Sequence, residues 1–286
     1  MQSLSIATLP VFARAAICGT AVVLCAPAGA QTLGPNTVPA VTPAAVSNPP
    51  AAPTFECKAL SQFVRLDQPL RHTARRLAAN EPLTIVAIGS SSTRGAGASS
   101  PAASYPSRLA AELTKRFRRD DITVLNRGVN GEEIAQMLAR FPADVIAAHP
   151  DLVLWQVGTN TVLRDHELRP DATLLRDGIK QIKDAGADVV LIDMQFAPRV
   201  IAKSETPDME DEIVRAAKQG SVDLFNRFAV MREWHDVEHM PFEAFVAADG
   251  LHMNDWGYAC VAKLLAAAIT DAATRPVTSA AIRSTH

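Results

Sequence analysis

The sequence has little net charge, few aromatic residues and few cysteines. Its 286 residues include 28 Lys+Arg and 30 Asp+Glu, which gives a formal net charge of -2, and aromatic residues make up 5%. A near-neutral chain without a long basic run lacks the electrostatic footprint of nucleic-acid binding, so we expect no nucleic-acid partner. Hydrophobic residues make up 48% of the chain, which is too large a share for a disordered polypeptide. The composition therefore predicts a folded protein that does not bind polyanions.

The N-terminus has the order of a secretory signal. Arg14 precedes an apolar run over residues 15–26, and the small residues that end at Ala30 resemble an A-x-A cleavage site. The run is shorter than the roughly 20 apolar residues of a membrane-spanning helix. We therefore favour a signal peptide over residues 1–30, cleaved near Ala30, over an uncleaved anchor. This predicts a periplasmic or secreted protein with no stable membrane insertion after cleavage.

A proline-rich stretch separates this signal from the rest of the chain. Residues 31–54 are rich in proline and nearly free of charge, a composition typical of an extended, semi-rigid linker. We expect one domain over residues 55–275 and a flexible C-terminal tail over residues 276–286. Cys57 and Cys260 lie near the two ends of this domain. In an oxidising compartment they could form one disulfide or remain two separate buried thiols.

Short apolar runs alternate with helical patterns along the predicted domain. Runs rich in Val, Ile and Leu lie at residues 83–88, 122–125, 152–157, 189–194 and 222–224. Their lack of alternation is typical of strands buried on both faces. Helical spacing of apolar residues occurs at 105–117, 174–185, 225–234 and 256–272. The alternation predicts an α/β domain, a three-layer α/β/α sandwich with a mainly parallel sheet, whose chemistry lies at the carboxyl ends of its strands.

Three of the predicted strands are followed by residues that could act as a nucleophile or bind an anion. Ser91 comes just after the first strand, where it is either an exposed nucleophile or part of a serine-rich turn. Gly131 follows the second strand where a helix is predicted to begin, so its N–H could bind an anion or the glycine could serve only a tight turn. Asn160 follows the third strand, and its amide could donate to an oxyanion or to local backbone.

An acid and a histidine lie close together near the C-terminus. Asp249 and His252 are three residues apart, and within one turn their side chains can point to the same side. Asp249 could then fix the tautomer of His252 or stabilise its charge when it takes a proton. A lone D-x-x-H is common by chance. It gains weight here because a hydroxyl and two kinds of oxyanion donor precede it in the same chain.

These four segments, in this order, resemble the SGNH (GDSL-like) hydrolase family. We name them the serine segment (Gly89-Ser90-Ser91-Ser92-Thr93), the glycine segment (Asn126 through Gly131), the asparagine segment (Gly158-Thr159-Asn160) and the acid–histidine segment (Asp249 to His252). The resemblance implies a flavodoxin-like parallel sheet and a Ser91, His252 and Asp249 triad. It also implies an oxyanion hole formed by Ser91, Gly131 and Asn160, with no metal or other cofactor. Ser90 stands where the family usually has Asp, a change outside the triad.

The resemblance implies a serine esterase that works through an acyl-enzyme. An exported esterase with a linker is expected to act on short acyl esters, in particular O-acetyl groups of polysaccharide or cell-wall glycan. Lipid esters, aryl esters and thioesters are also substrates within the family. The alternative is a non-catalytic envelope protein that binds carbohydrate with the same fold. The presence of Ser91, Asp249 and His252 together disfavours that alternative.

A competing motif lies between the last two predicted helices. The segment His235-Asp236-Val237-Glu238-His239 fits the H-x-x-E-H pattern of some zinc peptidases, with two histidines one turn apart on a helix. Such a site also needs an acidic ligand further along the chain. Asp249 is already assigned, and Asp255 and Asp271 lie in no evident ligand setting. Zinc-dependent hydrolysis through His235 and His239 is therefore the weaker hypothesis.

Overall fold

The structure is a computed structural model that describes residues 55–166 and 168–276. The predicted signal peptide (1–30), the predicted linker (31–54) and the predicted tail beyond residue 276 lie outside the described residues. Within the described part of the chain, no helix is both long enough and apolar enough to cross a membrane.

Five parallel strands form the central sheet. They are β1 (Leu83–Gly89), β2 (Ile122–Gly128), β3 (Leu152–Gln156), β4 (Asp188–Ile192) and β5 (Asp223–Phe225). Their order in the sheet is β2-β1-β3-β4-β5, and every neighbouring pair is parallel. This is the flavodoxin-like order, in which the direction of winding reverses beside β1. The carboxyl ends of β1 and β3 therefore border the crevice where such folds bind ligands.

Helices connect the strands and cover both faces of the sheet. They are α1 (Ser61–Val64), α2 (Arg71–Ala79), α3 (Ser91–Arg94), α4 (Tyr105–Phe117), α5 (Ile134–Ala139), α6 (Phe141–Asp144), α7 (Thr159–Leu163), α8 (Arg169–Asp184), α9 (Pro198–Ile201), α10 (Thr206–Gly220), α11 (Arg227–Asp236) and α12 (Asp255–Thr274). Short 3-10 turns lie at Pro101–Ala103, Ile146–Ala148 and Phe242–Ala244.

Alternate residues of each strand pack into different hydrophobic clusters. Ile85 and Ala87 of β1 belong to the cluster that includes α4 and α12, whereas Val86 and Ile88 belong to the cluster that includes α5, α8 and α10. Every residue of β3 is buried, because both faces of the sheet are covered. The predicted three-layer sandwich with a parallel sheet is confirmed.

The carboxyl end of β2 extends beyond the predicted strand at 122–125. Its pairing with β1 continues in register from Leu83↔Ile122 to Gly89↔Gly128. The prediction ended the strand with its apolar run, but backbone pairing continues through the polar residues Asn126 and Arg127. The first half of the glycine segment is therefore strand rather than loop.

Cys57 and Cys260 form a disulfide across a sequence separation of 203 residues. Cys260 is buried on α12, and Cys57 packs against the same core cluster. Of the two outcomes that the sequence left open, the structure has the bridge. It joins the first described residues of the domain to its last helix.

Candidate active site

Ser91 lies at the carboxyl end of β1. The strand ends at Gly89, Ser90 is the N-cap, and Ser91 is the first residue of the short helix α3. A Cβ on Gly89 would lie 2.2 Å from Thr93 Oγ1 and 2.9 Å from Gln156 Cβ. Only glycine therefore lets this turn pack closely against β3, and the turn carries the Ser91 hydroxyl to the edge of the sheet.

Two hydrogen bonds link Ser91, His252 and Asp249. Ser91 Oγ lies 2.8 Å from His252 Nε2, and His252 Nδ1 lies 2.5 Å from Asp249 Oδ2. With its proton on Nδ1, the imidazole donates to Asp249 and accepts from the Ser91 hydroxyl. Residues separated by 161 positions in the chain thus meet in the order that nucleophile, base and acid require.

The surroundings of Asp249 keep it ionised. Burial alone would raise its pKa, but the hydrogen bonds from the His252 side chain and from the backbone N–H groups of His252 and Leu251 outweigh burial and hold the pKa below its ordinary value. Both backbone bonds reach Asp249 Oδ1 at 3.0 Å. A fixed carboxylate at this position can orient the imidazole and stabilise its protonated form.

Gly131 lies in a turn with a φ of 78°, and helix α5 begins only at Ile134. The predicted helix start at Gly131 is therefore wrong. A residue with positive φ cannot belong to a right-handed helix, and the N-cap is Glu133, whose capping box with Gln136 starts α5. The glycine serves a turn, and Arg164 Nη2 stabilises that turn by donating to the Gly131 carbonyl at 2.7 Å.

Asn160 lies beside this turn. It is the second residue of α7, and its Nδ2 donates to the Glu132 carbonyl at 2.8 Å. An amide nitrogen carries two hydrogens, so one is left for another acceptor. Within the described residues, the backbone N–H groups of Ser91 and Gly131 donate to no backbone acceptor. The site can therefore offer several N–H groups to an oxyanion.

Ser90 faces the protein interior rather than the site. Its backbone N–H and its hydroxyl both donate to Gln156 Oε1 at 2.9 Å, and Thr93 Oγ1 adds a longer bond of 3.4 Å. Ser90 is 2% exposed. A carboxylate at this position would face an acceptor oxygen in a buried place, whereas a hydroxyl donates to it. Ser90 thus joins the serine segment to β3 without a buried charge.

A buried polar cluster behind the site was not predicted. Gln195 follows β4 and is 1% exposed, and Arg227 begins α11 and is fully buried. Arg227 Nη2 donates to Gln195 Oε1 at 3.1 Å and to the Asp193 carbonyl oxygen. An amide directly after an apolar strand is a signal for such a cluster. Which residue bonds to that amide depends on which loops the fold brings together, and the spacing of apolar residues in the sequence does not show which loops meet.

Asp193 and Glu210 add two carboxyl groups to this cluster. Burial raises the pKa of both, and the neighbouring Asp193 charge raises that of Glu210 further. Asp193 Oδ2 and Glu210 Oε1 are buried, and neither has a hydrogen-bond partner among the described residues. A proton held by the pair would supply the missing donor.

The H-x-x-E-H segment does not form the predicted helical pair of ligands. Helix α11 ends at Asp236, and His239 has a φ of 52°. The two histidines are therefore not on consecutive turns of one helix, and the predicted zinc geometry is wrong. His235 Nδ1 lies 2.8 Å from Asp236 Oδ1, and its ring stacks on Phe242 with centroids 4.2 Å apart. In the described part of the chain, no group of three or more His, Cys, Asp or Glu side chains is placed to hold a metal ion.

The sheet has the flavodoxin-like strand order, and Ser91, Gly131 and Asn160 follow β1, β2 and β3. The family model that matches the chain, together with an arylesterase relative, places this fold in the SGNH (GDSL-like) class of hydrolases. The Asn160 amide contacts the Glu132 carbonyl, directly after the glycine segment, and the serine and acid–histidine segments meet through Ser91 and His252. The chain belongs to the Non-GDSL lipase-like family, whose model matches residues 56–275.

Known proteins resemble the chain in sequence and in fold. An arylesterase of Vibrio mimicus is 27% identical over 171 residues, which cover 57% of this chain and 76% of the relative. A two-domain esterase active on acetylated mannans superposes with a TM-score of 0.64 and 20% identity, covering 74% of this chain and 56% of that one. A catalytic mutant of an acetylxylan esterase from Geobacillus stearothermophilus has a TM-score of 0.58 and 20% identity, covering 68% of this chain and 97% of that one.

The two solved structures show the fold, at identities too low to show more. The chain spans 56% of the two-domain esterase, so that protein's whole activity does not transfer with the fold. The family match and the arylesterase relative support a GDSL-like carboxylic ester hydrolase.

Proposed function

We propose that the protein is an exported serine esterase that hydrolyses short acyl esters through an acyl-enzyme. The observation that carries the proposal is the continuous hydrogen-bonded chain from Ser91 Oγ through His252 to Asp249, with distances of 2.8 and 2.5 Å. Membership in the Non-GDSL lipase-like family supports it. No metal or other cofactor takes part in the proposed reaction.

In the first half of the reaction, Ser91 Oγ attacks the ester carbonyl carbon while His252 Nε2 takes the hydroxyl proton. Asp249 stabilises the imidazolium that forms. The tetrahedral intermediate collapses as the C–O bond to the alcohol breaks, and His252 gives its proton to the leaving oxygen. In the second half, His252 deprotonates water, which attacks the acyl carbonyl carbon and forms a second tetrahedral intermediate. As the C–O bond to Ser91 Oγ breaks, His252 returns the proton to Ser91 Oγ and the acid leaves.

Three N–H donors are assigned to the oxyanion of each tetrahedral intermediate. They are the backbone N–H groups of Ser91 and Gly131 and the free Nδ2 hydrogen of Asn160. The Asn160 bond to the Glu132 carbonyl fixes the amide before substrate arrives. Donors that need no reorganisation stabilise developing charge efficiently, and losing one of them typically costs about 3–4 kcal/mol of transition-state stabilisation.

The substrate that we propose is an O-acetyl or other short acyl ester on polysaccharide or cell-wall glycan. Two structural neighbours support this class, because one is described as active on acetylated mannans and another as an acetylxylan esterase. The predicted signal peptide (1–30) and linker (31–54) support a periplasmic or secreted location, where such glycans occur.

A substrate panel tests the proposal. The domain from residue 55 onward is assayed with p-nitrophenyl esters of increasing acyl length and with acetylated glycans. Wild type is expected to prefer the shortest acyl groups and to react with a fluorophosphonate probe. Ser91→Ala is expected to lose both properties, whereas Ser100→Ala, an exposed serine control, keeps them.

Two outcomes would contradict the proposal. If Ser91→Ala hydrolysed the esters at the parent rate, Ser91 would not be the nucleophile. If wild type bound acetylated glycan without turnover and without probe labelling, the protein would be the non-catalytic carbohydrate-binding alternative.

A further inference from the structure

Gln195 is buried between three of the four segments that carry the proposed catalytic residues. Its Oε1 accepts hydrogen bonds from Thr159 Oγ1 at 3.1 Å and from Ser92 Oγ at 3.4 Å. Its Nε2 donates to the Leu251 carbonyl oxygen at 3.2 Å. One amide therefore contacts the serine, asparagine and acid–histidine segments at once.

Each of these contacts lies one residue from a proposed catalytic group. The adjoining pairs are Ser92 with Ser91, Thr159 with Asn160, and Leu251 with His252. A shift of any partner moves its neighbour in the chain, because a single peptide unit joins them and has few soft dihedrals. Gln195 is thus placed to set the distances between nucleophile, oxyanion donor and base without touching substrate.

The chemistry of the contacts requires an amide at this position. Arg227 Nη2 also donates to Gln195 Oε1, at 3.1 Å, so three donors converge on one oxygen while the Leu251 carbonyl needs a donor. A glutamine amide supplies a strong acceptor on one side and an N–H donor on the other. A carboxylate would face the Leu251 carbonyl with a second oxygen, and an apolar side chain would leave all four groups without this partner.

Arg227 also fixes the orientation of the amide. Its guanidinium has no acceptor lone pair, so the atom that it contacts must be the Gln195 oxygen. Burial disfavours the charged guanidinium and lowers the pKa of Arg227, whereas the Asp193 charge raises it. The amide oxygen and the Asp193 carbonyl are acceptors for the same nitrogen, which holds Gln195 in one rotamer.

We propose that Gln195 is a positioning residue for the esterase reaction, holding Ser91, Asn160 and His252 in register through Ser92, Thr159 and Leu251. The assignment rests on the proposed function of these residues. A misplacement of about 1 Å in an active site can lower the rate about 100-fold. The effect should therefore fall on the chemical step rather than on substrate binding.

Two substitutions separate positioning from folding. Gln195→Met keeps the length of the side chain and removes every hydrogen bond of the amide. Gln195→Glu keeps the acceptor for Thr159 and Ser92 and removes the donor to Leu251. For each variant, kcat and KM for p-nitrophenyl acetate are measured per active site titrated with fluorophosphonate, together with the melting temperature.

We expect kcat of Gln195→Met to fall about 10- to 100-fold while KM changes less than about 3-fold. Gln195→Glu should recover part of kcat, because two of the three segments keep their partner. Ile182→Ala is the matched control, since Ile182 is buried in the core on the α8 face. It should lower the melting temperature and leave kcat per titrated site unchanged, which shows that lost stability alone does not reduce kcat.

If Gln195→Met does not fold, Gln195→Glu and Thr159→Val decide the question, because each removes one contact of the amide. A loss of kcat in both supports the positioning role, and unchanged kcat in both overturns it. Unchanged kcat in Gln195→Met likewise overturns it, provided that wild type is active and Ser91→Ala is inactive. An inactive wild type would overturn the esterase proposal and the positioning role with it.

Discussion

Opening the disulfide between Cys57 and Cys260 is expected to lower the free energy of unfolding by about 5 kcal/mol. The bridge spans a sequence separation of 203 residues. In the chain-entropy model, a closed loop of this length removes about 18 cal/mol/K from the unfolded chain, which is about 5 kcal/mol at room temperature. The effect acts on the unfolded chain, so the folded contacts around Cys260 need not change.

The same figure predicts the change in melting temperature. The family match covers residues 56–275, and a domain of about 220 residues has an unfolding entropy of roughly 0.46 kcal/mol/K near its midpoint. Dividing the lost free energy by this entropy gives a decrease of about 11 °C.

Thermal unfolding followed by far-UV circular dichroism, with and without a phosphine reductant, measures the decrease. Alkylation under denaturing conditions counts the free thiols in each sample. Cys57→Ala is the matched variant, because it opens the bridge and leaves the buried Cys260 thiol in the core without a cavity. It should melt at the temperature of the reduced wild type, and the reductant should not lower it further.

A decrease in melting temperature of less than about 2 °C, in a sample where reduction frees two thiols, would show that closing this loop does not stabilise the fold through chain entropy. If alkylation finds Cys57 and Cys260 as free thiols in the untreated protein, the bridge itself is absent.

Three further predictions concern the site and the polar cluster behind it. Asn160→Ala should lower kcat about 100- to 1,000-fold with little change in KM, as measured by steady-state kinetics on p-nitrophenyl acetate. Gly131→Ala should destabilise the protein by about 1 kcal/mol or more in urea unfolding, because φ is 78° and the new Cβ would lie 3.3 Å from Arg164 Nη2. Burial raises the pKa of Glu210 in the folded state, so the folded protein keeps a proton that the unfolded chain releases, and stability is lost as pH rises above the unfolded pKa. Between about pH 5 and 8, the free energy of unfolding of Glu210→Gln should therefore fall less steeply than that of wild type, by up to about 1.4 kcal/mol per pH unit. Equal slopes of unfolding free energy against pH in the two proteins would contradict a protonated Glu210 in the folded state.

The parts of the fold that the sequence predicted are those determined by local pattern. Val153 and Trp155 lie in an apolar run without alternation, and such a run requires cover on both faces. The serine segment and the acid–histidine segment each lie within a few consecutive residues, but each gained weight only because the other segments occur in the same chain. Gly131 was misplaced at a helix start because a glycine before a helix and a glycine in a turn give the same local pattern.

The parts that the sequence did not predict depend on contacts between distant residues. Gln195 bonds to Leu251, 56 residues away, and to Ser92, 103 residues away. Nothing near Gln195 in the chain indicates which loops surround it, since this follows from the order of the strands. The sequence could not decide between a disulfide and two free thiols for the same reason, because spacing does not show whether Cys57 reaches α12.

The polar end of β2 also affects how the domain behaves at high concentration. β2 is an edge strand, and an unpaired edge can recruit a strand of another molecule. Here the Asn126 side chain accepts from the Gly128 N–H at 2.9 Å, so this outward-facing donor already has a partner. The end of the edge beside the proposed catalytic serine therefore offers one backbone group fewer to a strand of another molecule.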